Sequence, residues 1–319
     1  MPVNDVTALG ELLIDFTFAG NSQSGMRLFE QNPGGAPANV LVALSRLGMK
    51  TAFIGKVGDD MHGHFLKDVL DQNHIGTDSL LIDRDFFTTL AFVNISENGE
   101  RSFSFARKPG ADTMLTKEEI PEKLIRESKI FHVGSLSLTN EPSKAATFHA
   151  LDIAKKAGCI ISYDPNYRAP LWENRRAAIE GMRSVLPYVD VIKISDEETD
   201  LLTPEKDPER AGKYLINHGV KAAFITLGKN GACVVHKDGC EYQPAISKKA
   251  VDTTGAGDAF CSGVLYRICT EGEKVEDFSL PQLSDFARFG NAVASLCVER
   301  RGGIPAMPAL HEVYERLNS

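Results

Sequence analysis

Short apolar runs rich in Ile and Val alternate with amphipathic segments along most of this chain. The runs that indicate strands cover residues 51–57, 130–133, 160–163, 189–194, 222–227 and 232–236. The segments with helical spacing cover residues 36–47, 61–73, 143–156, 175–186, 207–218, 259–269 and 283–298. Gly48, Gly158 and Gly219 stand where helix C-caps are expected. This alternation predicts a doubly wound, mostly parallel sheet with helices on both faces.

Two segments depart from this pattern, because they alternate apolar and polar residues as half-buried strands do. They lie at about 12–32 and 88–107, and the second contains the hairpin signal Glu97-Asn98-Gly99-Glu100. We expect antiparallel strands there, outside the parallel sheet and inserted into a single domain that spans residues 1–319.

Composition excludes several classes of protein. The chain has 319 residues, 43% of them hydrophobic, and a net charge of -8 with no run of Lys or Arg. This charge argues against nucleic acid or an anionic membrane as a partner. The six cysteines lack Cys-x-x-Cys spacing, which indicates reduced thiols. No apolar run is long enough to span a bilayer, so we expect a soluble cytoplasmic protein.

A glycine-rich loop precedes one of the predicted helices. It has the sequence Val251-Asp252-Thr253-Thr254-Gly255-Ala256-Gly257-Asp258-Ala259-Phe260. Free N–H groups at such a helix start, with no Cβ on Gly255 or Gly257, suit an anion such as phosphate. Asp258 then suggests a general base for a hydroxyl that attacks the phosphate. The alternative is a glycine-rich turn whose acid only supports the helix.

The common nucleotide-binding motifs do not explain this loop. The chain has no Gly-x-x-x-x-Gly-Lys-Ser/Thr sequence, and Phe260 stands where a dinucleotide fingerprint has its third glycine. A matching segment lies near the N-terminus, with the sequence Asn32-Pro33-Gly34-Gly35-Ala36-Pro37-Ala38-Asn39-Val40. Together the two segments resemble the two signatures of the PfkB (ribokinase-like) family of sugar and nucleoside kinases, in the family's order and at about its spacing.

The resemblance implies a ribokinase-like fold with a small β-sheet lid over a sugar site. Asp15 matches the acid that accepts hydrogen bonds from two sugar hydroxyls. Gly34 and Gly35 let the sugar approach the backbone, and Asn39 offers it an amide. Phe105 and Arg107 follow the lid hairpin and match a stretch that closes over the sugar. The alternatives are a solvated strand end for Asp15, a helix start for Gly34 to Asn39, and a surface charge for Arg107.

A third stretch follows a predicted buried strand, where ligands bind in sheets of this type. Asp164, Asn166 and Arg168 resemble the family's contacts with the sugar and the transferred phosphate, although an Asp-Pro turn is the simpler interpretation. The continuation Arg168-Ala169-Pro170-Leu171-Trp172 resembles bacterial fructokinases in particular.

Other positions match the family's nucleotide site. Glu198 matches an acid that organises Mg²⁺ and phosphate through water, although Ser195 stands where the family has Asn. Ser195 and Glu198 also fit a capping box. The remaining matches for ATP are Lys193, Thr226, Gly228, Gly231 and Asn291. Thr226 to Gly231 could equally be a hairpin turn, and Asn291 could be an ordinary polar residue of a helix.

Two further implications concern a cation and a partner. Asp252, Thr254 and Gly302 match the oxygen-rich loops that bind K⁺ in many relatives. Lids from two subunits often pair in the family, so we expect a homodimer joined through the lid.

The sequence therefore predicts an ATP- and Mg²⁺-dependent sugar kinase. The base is Asp258, and the N–H groups of Gly255, Ala256 and Gly257 stabilise the transferred phosphoryl group. Fructose is the expected substrate; 2-keto-3-deoxygluconate, ribose and aminoimidazole riboside are the alternatives. A different class also stays open, namely a relative of the fold that cleaves a C-glycosidic bond or acts as a binding partner without catalysis.

Overall fold

A computed structural model of the protein describes residues 3–95, 101–246 and 249–319. A nine-stranded sheet forms its centre, in the order β13-β12-β11-β10-β9-β8-β1-β4-β5. Its strands are β1 (Asn4–Leu9), β4 (Thr51–Gly58), β5 (Leu80–Asp83), β8 (Ser128–Val133), β9 (Ile160–Tyr163), β10 (Val191–Ser195), β11 (Ala222–Thr226), β12 (Ala232–His236) and β13 (Gly239–Gln243). The pairs from β5 to β11 are parallel, and β12 and β13 add an antiparallel edge. The predicted mostly parallel sheet is confirmed.

Helices cover both faces of this sheet. They are α1 (Ala36–Arg46), α2 (Met61–Gln72), α3 (Glu122–Arg126), α4 (Ser143–Ala157), α5 (Arg175–Arg183), α6 (Thr199–Leu202), α7 (Pro208–Asn217), α8 (Ala256–Glu271), α9 (Leu280–Cys297) and α10 (Leu310–Asn318). Successive strand residues belong to different apolar cores: Phe224 packs in the cluster that includes α1, α8 and α9, whereas Ile225 packs in the cluster that includes α4 and α5. This alternation is what burial on both faces requires.

The predicted helix bounds differ most at α8. We predicted a start at residue 259, but the helix begins at Ala256, with Gly255 as N-cap in the left-handed region at φ 75°. The loop therefore becomes the first turn of the helix, and Asp258 lies inside that turn. α3, α6 and α10, which have five, four and nine residues, were not predicted. No helix within the described ranges is long and apolar enough to cross a membrane.

A separate four-stranded sheet forms the lid, in the order β3-β2-β6-β7. Its strands are β2 (Leu13–Asn21), β3 (Arg27–Gly34), β6 (Leu90–Ile95) and β7 (Arg101–Ala106). The predicted antiparallel arrangement is correct for β2–β3 and β6–β7 and wrong for the central pair, since β2 and β6 run parallel. The predicted hairpin turn at residues 97–100 lies outside the described residues.

Candidate active site

A cavity of about 810 Å³ lies between the lid and the carboxyl ends of the central strands. Strands β9, β10 and β11 end at this cavity, as expected for ligand sites in doubly wound sheets. Most of the predicted site residues line it: Asp15, Gly35, Asn39, Phe105, Asn166, Arg168, Lys193, Glu198, Thr226, Gly228, Asp252, Thr254, Gly255, Ala256, Gly257, Asp258 and Gly302. The fold thus gathers residues from the whole length of the chain around one cavity.

The N-terminus of α8 forms part of the cavity wall. Gly255 is packed so closely that a Cβ would lie 3.1 Å from Gly303 Cα, and its φ of 75° favours glycine. A Cβ on Gly257 would lie 2.7 Å from Lys193 Nζ. The first-turn N–H groups of a 16-residue helix and a lysine ammonium therefore converge, which suits a phosphate group.

Asp258 is held in position by two amides. Asn39 Nδ2 donates a hydrogen bond of 2.7 Å to Asp258 Oδ2, and Asn166 Nδ2 donates one of 3.4 Å to Oδ1. Burial, reinforced by Asp164, raises the pKa of Asp258 to about 6, while Asn39, Lys193 and Arg168 oppose the rise. Asp258 is only 6% exposed. It is therefore an oriented carboxylate that is ionised above about pH 6 and can accept a proton.

A second carboxylate, Asp15, lies on lid strand β2 opposite Asn32 of β3. Burial raises its pKa to about 6, Arg168 lowers it and Asp258 raises it. The neighbouring glycines are required by space. A Cβ on Gly34 would collide with Asp15 Oδ2, and one on Gly35 would collide with the carbonyl oxygen of Glu11. Asp15 therefore faces a surface of bare backbone, which a small polyol can approach.

Lys193 is a buried cation under the α8 N-terminus. Its Nζ lies 3.0 Å from Asp164 Oδ2. Burial alone would lower the pKa of Lys193, but Asp164, Glu198 and Asp258 raise it above its ordinary value. The ammonium therefore stays charged next to Gly257, where it can attract a phosphate.

Glu198 and Asp252 tie loops together. Glu198 Oε1 accepts from Tyr167 N at 2.7 Å, and Oε2 accepts from Ser195 N at 2.8 Å and Ser195 Oγ at 3.0 Å. This is the predicted capping box. Asp252 Oδ1 accepts from Thr254 N at 2.9 Å, and Oδ2 accepts from Gly302 N at 3.0 Å.

Five predicted residues do not line the cavity. Arg107 forms a buried ion pair with Asp112 and donates to Thr139 Oγ1 and to the carbonyl oxygen of Leu136. Arg107 thus braces the base of the lid rather than facing the sugar, because its donors are used within the protein. Asn291 Nδ2 donates to the carbonyl oxygen of Pro244 at 3.0 Å.

The other three predicted residues that do not line the cavity are Gly231, Gly34 and Asp164. Gly231 lies at φ 99°, where a Cβ would collide with the carbonyl oxygen of Gln243. Gly34 lies behind Asp15, and Asp164 is buried behind Lys193. Gly34 and Asp164 therefore contact Asp15 and Lys193, which do line the cavity.

The sequence reasoning missed several polar residues of the cavity wall, among them Glu11, Glu30, Asn32 and Arg301. Glu11 is 2% exposed, and its Oε1 accepts from Ala36 N at 3.0 Å. The signal for Glu11 was an acid within the otherwise apolar run from Ala8 to Ile14. Glu30 and Arg301 approach each other within 3.9 Å across the cavity rim. This contact joins residues 271 positions apart, so no local pattern predicts it.

The cavity offers few ligands for a metal cage. Within the described residues no group of three or more His, Cys, Asp or Glu side chains is placed to hold a metal ion. A carboxylate such as Glu198, with phosphate and water as the other ligands, is the arrangement in which proteins usually hold Mg²⁺ beside a nucleotide. The residues present fit that mode.

Fructokinases are among the known proteins of similar sequence and architecture. A probable fructokinase-6, chloroplastic, of Arabidopsis thaliana is 42% identical over 316 residues, which cover 98% of this chain and 82% of that protein. A fructokinase of Xylella fastidiosa with bound ATP has a TM-score of 0.91 at 32% identity and covers 98% of both chains. A double-mutant fructokinase of Vibrio cholerae O395, with fructose, ADP and a potassium ion bound, has a TM-score of 0.88 at 31% identity and covers 99% of both chains.

The family signature extends over nearly all of the described structure. The sequence model of the pfkB family of carbohydrate kinases matches residues 3–310. This range includes the glycine loop at α8 and the lid strands. With the two signature segments brought together at one cavity, the conclusion is that this chain belongs to the pfkB family of carbohydrate kinases.

Proposed function

We propose that the protein is an ATP-dependent fructokinase that transfers the γ-phosphoryl group to a primary hydroxyl of fructose. One observation carries the proposal: the buried carboxylate of Asp258 lies in the first turn of α8, next to the N-terminus of that helix and the Lys193 ammonium. A base beside an anion site is what a phosphoryl transfer to an alcohol requires.

Asp15, Asn39, Asn166 and Arg168 form the sugar subsite of this proposal. Phe105 and Gly35 supply its apolar and backbone walls. Asp258 removes the hydroxyl proton as the oxygen attacks the γ-phosphorus in line. The new O–P bond forms while the bond from the γ-phosphorus to the bridging oxygen of ADP breaks.

The N–H groups of Gly255, Ala256 and Gly257 stabilise the charge on the phosphoryl oxygens. Lys193 neutralises the same group, while Thr226 and Gly228 bind the rest of ATP. Gly231 and Asn291 shape the nucleotide end through the backbone that they support. Closure of the lid keeps water away and limits ATP hydrolysis.

Two cations belong to the proposal. Glu198 would hold Mg²⁺ through water beside the phosphates, and the ion would supply charge neutralisation. K⁺ is proposed at the loops joined by Asp252, Thr254 and Gly302, whose carbonyl oxygens suit a hard cation; the Vibrio cholerae relative with potassium supports this. Asp252 would then shape the loops, because both of its oxygens already accept hydrogen bonds.

Fructose is proposed on the similarity to fructokinases from plants and bacteria. The test is a coupled ADP-release assay with magnesium-ATP and fructose, ribose, 2-keto-3-deoxygluconate, aminoimidazole riboside or no sugar. Fructose should give the highest kcat/KM. Preference for another sugar would replace fructose as the substrate. If no sugar is turned over, nucleotide binding in calorimetry would indicate a kinase with an untested substrate, and no nucleotide binding would favour a binding protein or a C-glycosidase.

We also propose one kinase domain over residues 1–319, with lid strands inserted at about 12–32 and 88–107, and a homodimer joined through the lid. Phe29 and Phe92 of the lid are 40% and 39% exposed and contact each other edge to face at 6.1 Å. An exposed aromatic face of this kind is a liability unless it is covered. Light scattering at micromolar concentration should give twice the chain mass, and a monomer would contradict the dimer.

Cytoplasmic location stays a prediction, supported by six free thiols.

A further inference from the structure

We propose that Glu11 is a positioning residue that holds the acceptor-sugar loop and, through Asn39, the base Asp258. The proposal rests on the proposed kinase function and adds a residue to its machinery. Glu11 lies in the connection between β1 and β2, at the wall of the cavity.

The contact that carries the proposal is at the N-terminus of α1. Glu11 Oε1 accepts the Ala36 N–H at 3.0 Å. The N-cap of this helix is Gly35, which has no side chain to cap with, and Pro37 in the first turn has no N–H. The Ala36 N–H has no acceptor within the helix, so it donates to the carboxylate of Glu11, 25 residues earlier in the chain.

The same turn of α1 reaches the base. Asn39 N donates to the carbonyl oxygen of Gly35 at 2.9 Å, and Asn39 Nδ2 donates to Asp258 Oδ2 at 2.7 Å. The carbonyl group of Glu11 also touches Gly35, since a Cβ there would collide with it. A shift of Glu11 would therefore move both the backbone that the sugar approaches and the amide that orients Asp258.

Stability alone does not account for an acid at this position. Glu11 is 2% exposed, and its Oε2 has no hydrogen-bond partner among the residues that the structure describes. Burial raises the pKa of Glu11 to about 7, although its hydrogen bonds to the backbone and the charge of Arg107 lower it; Asp112 raises it further. A buried, half-satisfied carboxylate destabilises a fold, so its presence here is better explained by what it positions.

Two variants separate the hydrogen bond from the volume of the side chain. Glu11→Met fills the space but cannot accept from Ala36, whereas Glu11→Gln keeps the acceptor. Losing a charge-assisted hydrogen bond should lower kcat/KM for fructose in E11M by about 10- to 100-fold. E11Q should keep most of the wild-type kcat/KM for fructose, because it keeps the acceptor oxygen. The KM for ATP should change by less than about twofold in both, since Glu11 contacts the start of α1 rather than the residues proposed to bind ATP.

The matched control is Asp207→Ala, which removes the N-cap of α7 outside the cavity. In the wild type, Asp207 accepts a hydrogen bond from Arg210 N at 2.9 Å. D207A should lower the melting temperature and leave both KM values unchanged. E11M should retain the wild-type melting temperature or exceed it. Equal losses of kcat/KM for fructose in E11M and E11Q, or a rise in the KM for ATP as large as the fall in kcat/KM for fructose, would overturn the positioning role.

A double-mutant cycle keeps the proposal testable if E11M folds poorly. If Glu11 acts through α1, the effects of Glu11→Ala, which also removes the acceptor, and of Asn39→Ala on kcat/KM for fructose should be non-additive, and additive effects would overturn the proposal. Wild-type turnover of fructose tests only the proposed function. If another sugar proves to be the substrate, the same ratios between variants are measured with that sugar.

Discussion

Asp258→Asn should separate the catalytic use of this carboxylate from its effect on stability. Asn keeps the shape and can still bond to Asn39 but cannot take a proton. General base catalysis contributes about 10²–10⁴-fold, so kcat should fall at least about a hundredfold. The KM values should change little, because the fold of the loop is retained.

Although D258N should lose activity, we expect it to gain stability relative to the wild type as pH rises. Burial raises the pKa of Asp258 from 3.8 to about 6, a difference of about two pH units that corresponds to about 3 kcal/mol against the ionised folded form. Because the folded pKa is the higher one, this contribution stabilises the wild type at low pH and is lost as pH rises through about 6. D258N does not titrate, so its free energy of unfolding should gain on the wild type by up to about 3 kcal/mol between about pH 4 and pH 8.

The assays are the coupled ADP-release reaction and thermal or urea unfolding at both pH values. Asp277→Asn, an exposed acid in the turn before α9, serves as the control, and its stability should follow the wild type. A D258N enzyme within tenfold of wild-type kcat would refute the role as base. A mutant that loses stability relative to the wild type as pH rises would refute the assignment of the raised pKa to burial.

Four further outcomes follow from the same geometry. The kcat/KM for fructose should fall below about pH 6 and be flat above it, because the pKa values of Asp15 and Asp258 are both raised to about 6; a profile still flat near pH 5 would contradict this. Asp15→Asn should raise the KM for fructose about tenfold or more, with the KM for ATP as internal control. Gly257→Ala places a Cβ 2.7 Å from Lys193 Nζ and should lower kcat/KM for ATP at least about tenfold, whereas Gly272→Ala, at the far end of α8, should not. Replacing K⁺ by Na⁺ should lower turnover, and equal turnover in the two buffers would count against the K⁺ site at Asp252.

Local patterns were enough to predict six of the nine strands of the central sheet and the glycine-rich start of α8. Each buried strand appears in the sequence as a short apolar run, because both of its faces are covered by helices. The glycines and the acid of residues 255–258 lie within four positions of one another, so their arrangement at a helix start follows from local chemistry.

The placement of Arg107 shows where local patterns stop. The sequence put it after the lid hairpin and near the sugar, and the structure pairs it with buried Asp112 and two backbone or hydroxyl acceptors. A charge in a loop has no periodicity, so only the fold decides whether it faces a ligand or a buried partner. The parallel pairing of β2 with β6 was missed for a similar reason, since alternation specifies which face of a strand is buried but not the direction of its neighbour.

By itself, the sequence determined the class of fold and the family, and it singled out Asp258 as the proposed base, because these depend on residues that are neighbours along the chain. The tertiary structure alone decided that Asn39 orients Asp258 from 219 residues away, that Asp164 pairs with Lys193 and that Glu11 holds the start of α1. The physical reason is that hydrogen bonds and buried charges depend on distance in space, and the long connections of a doubly wound sheet bring residues together that no spacing in the sequence relates.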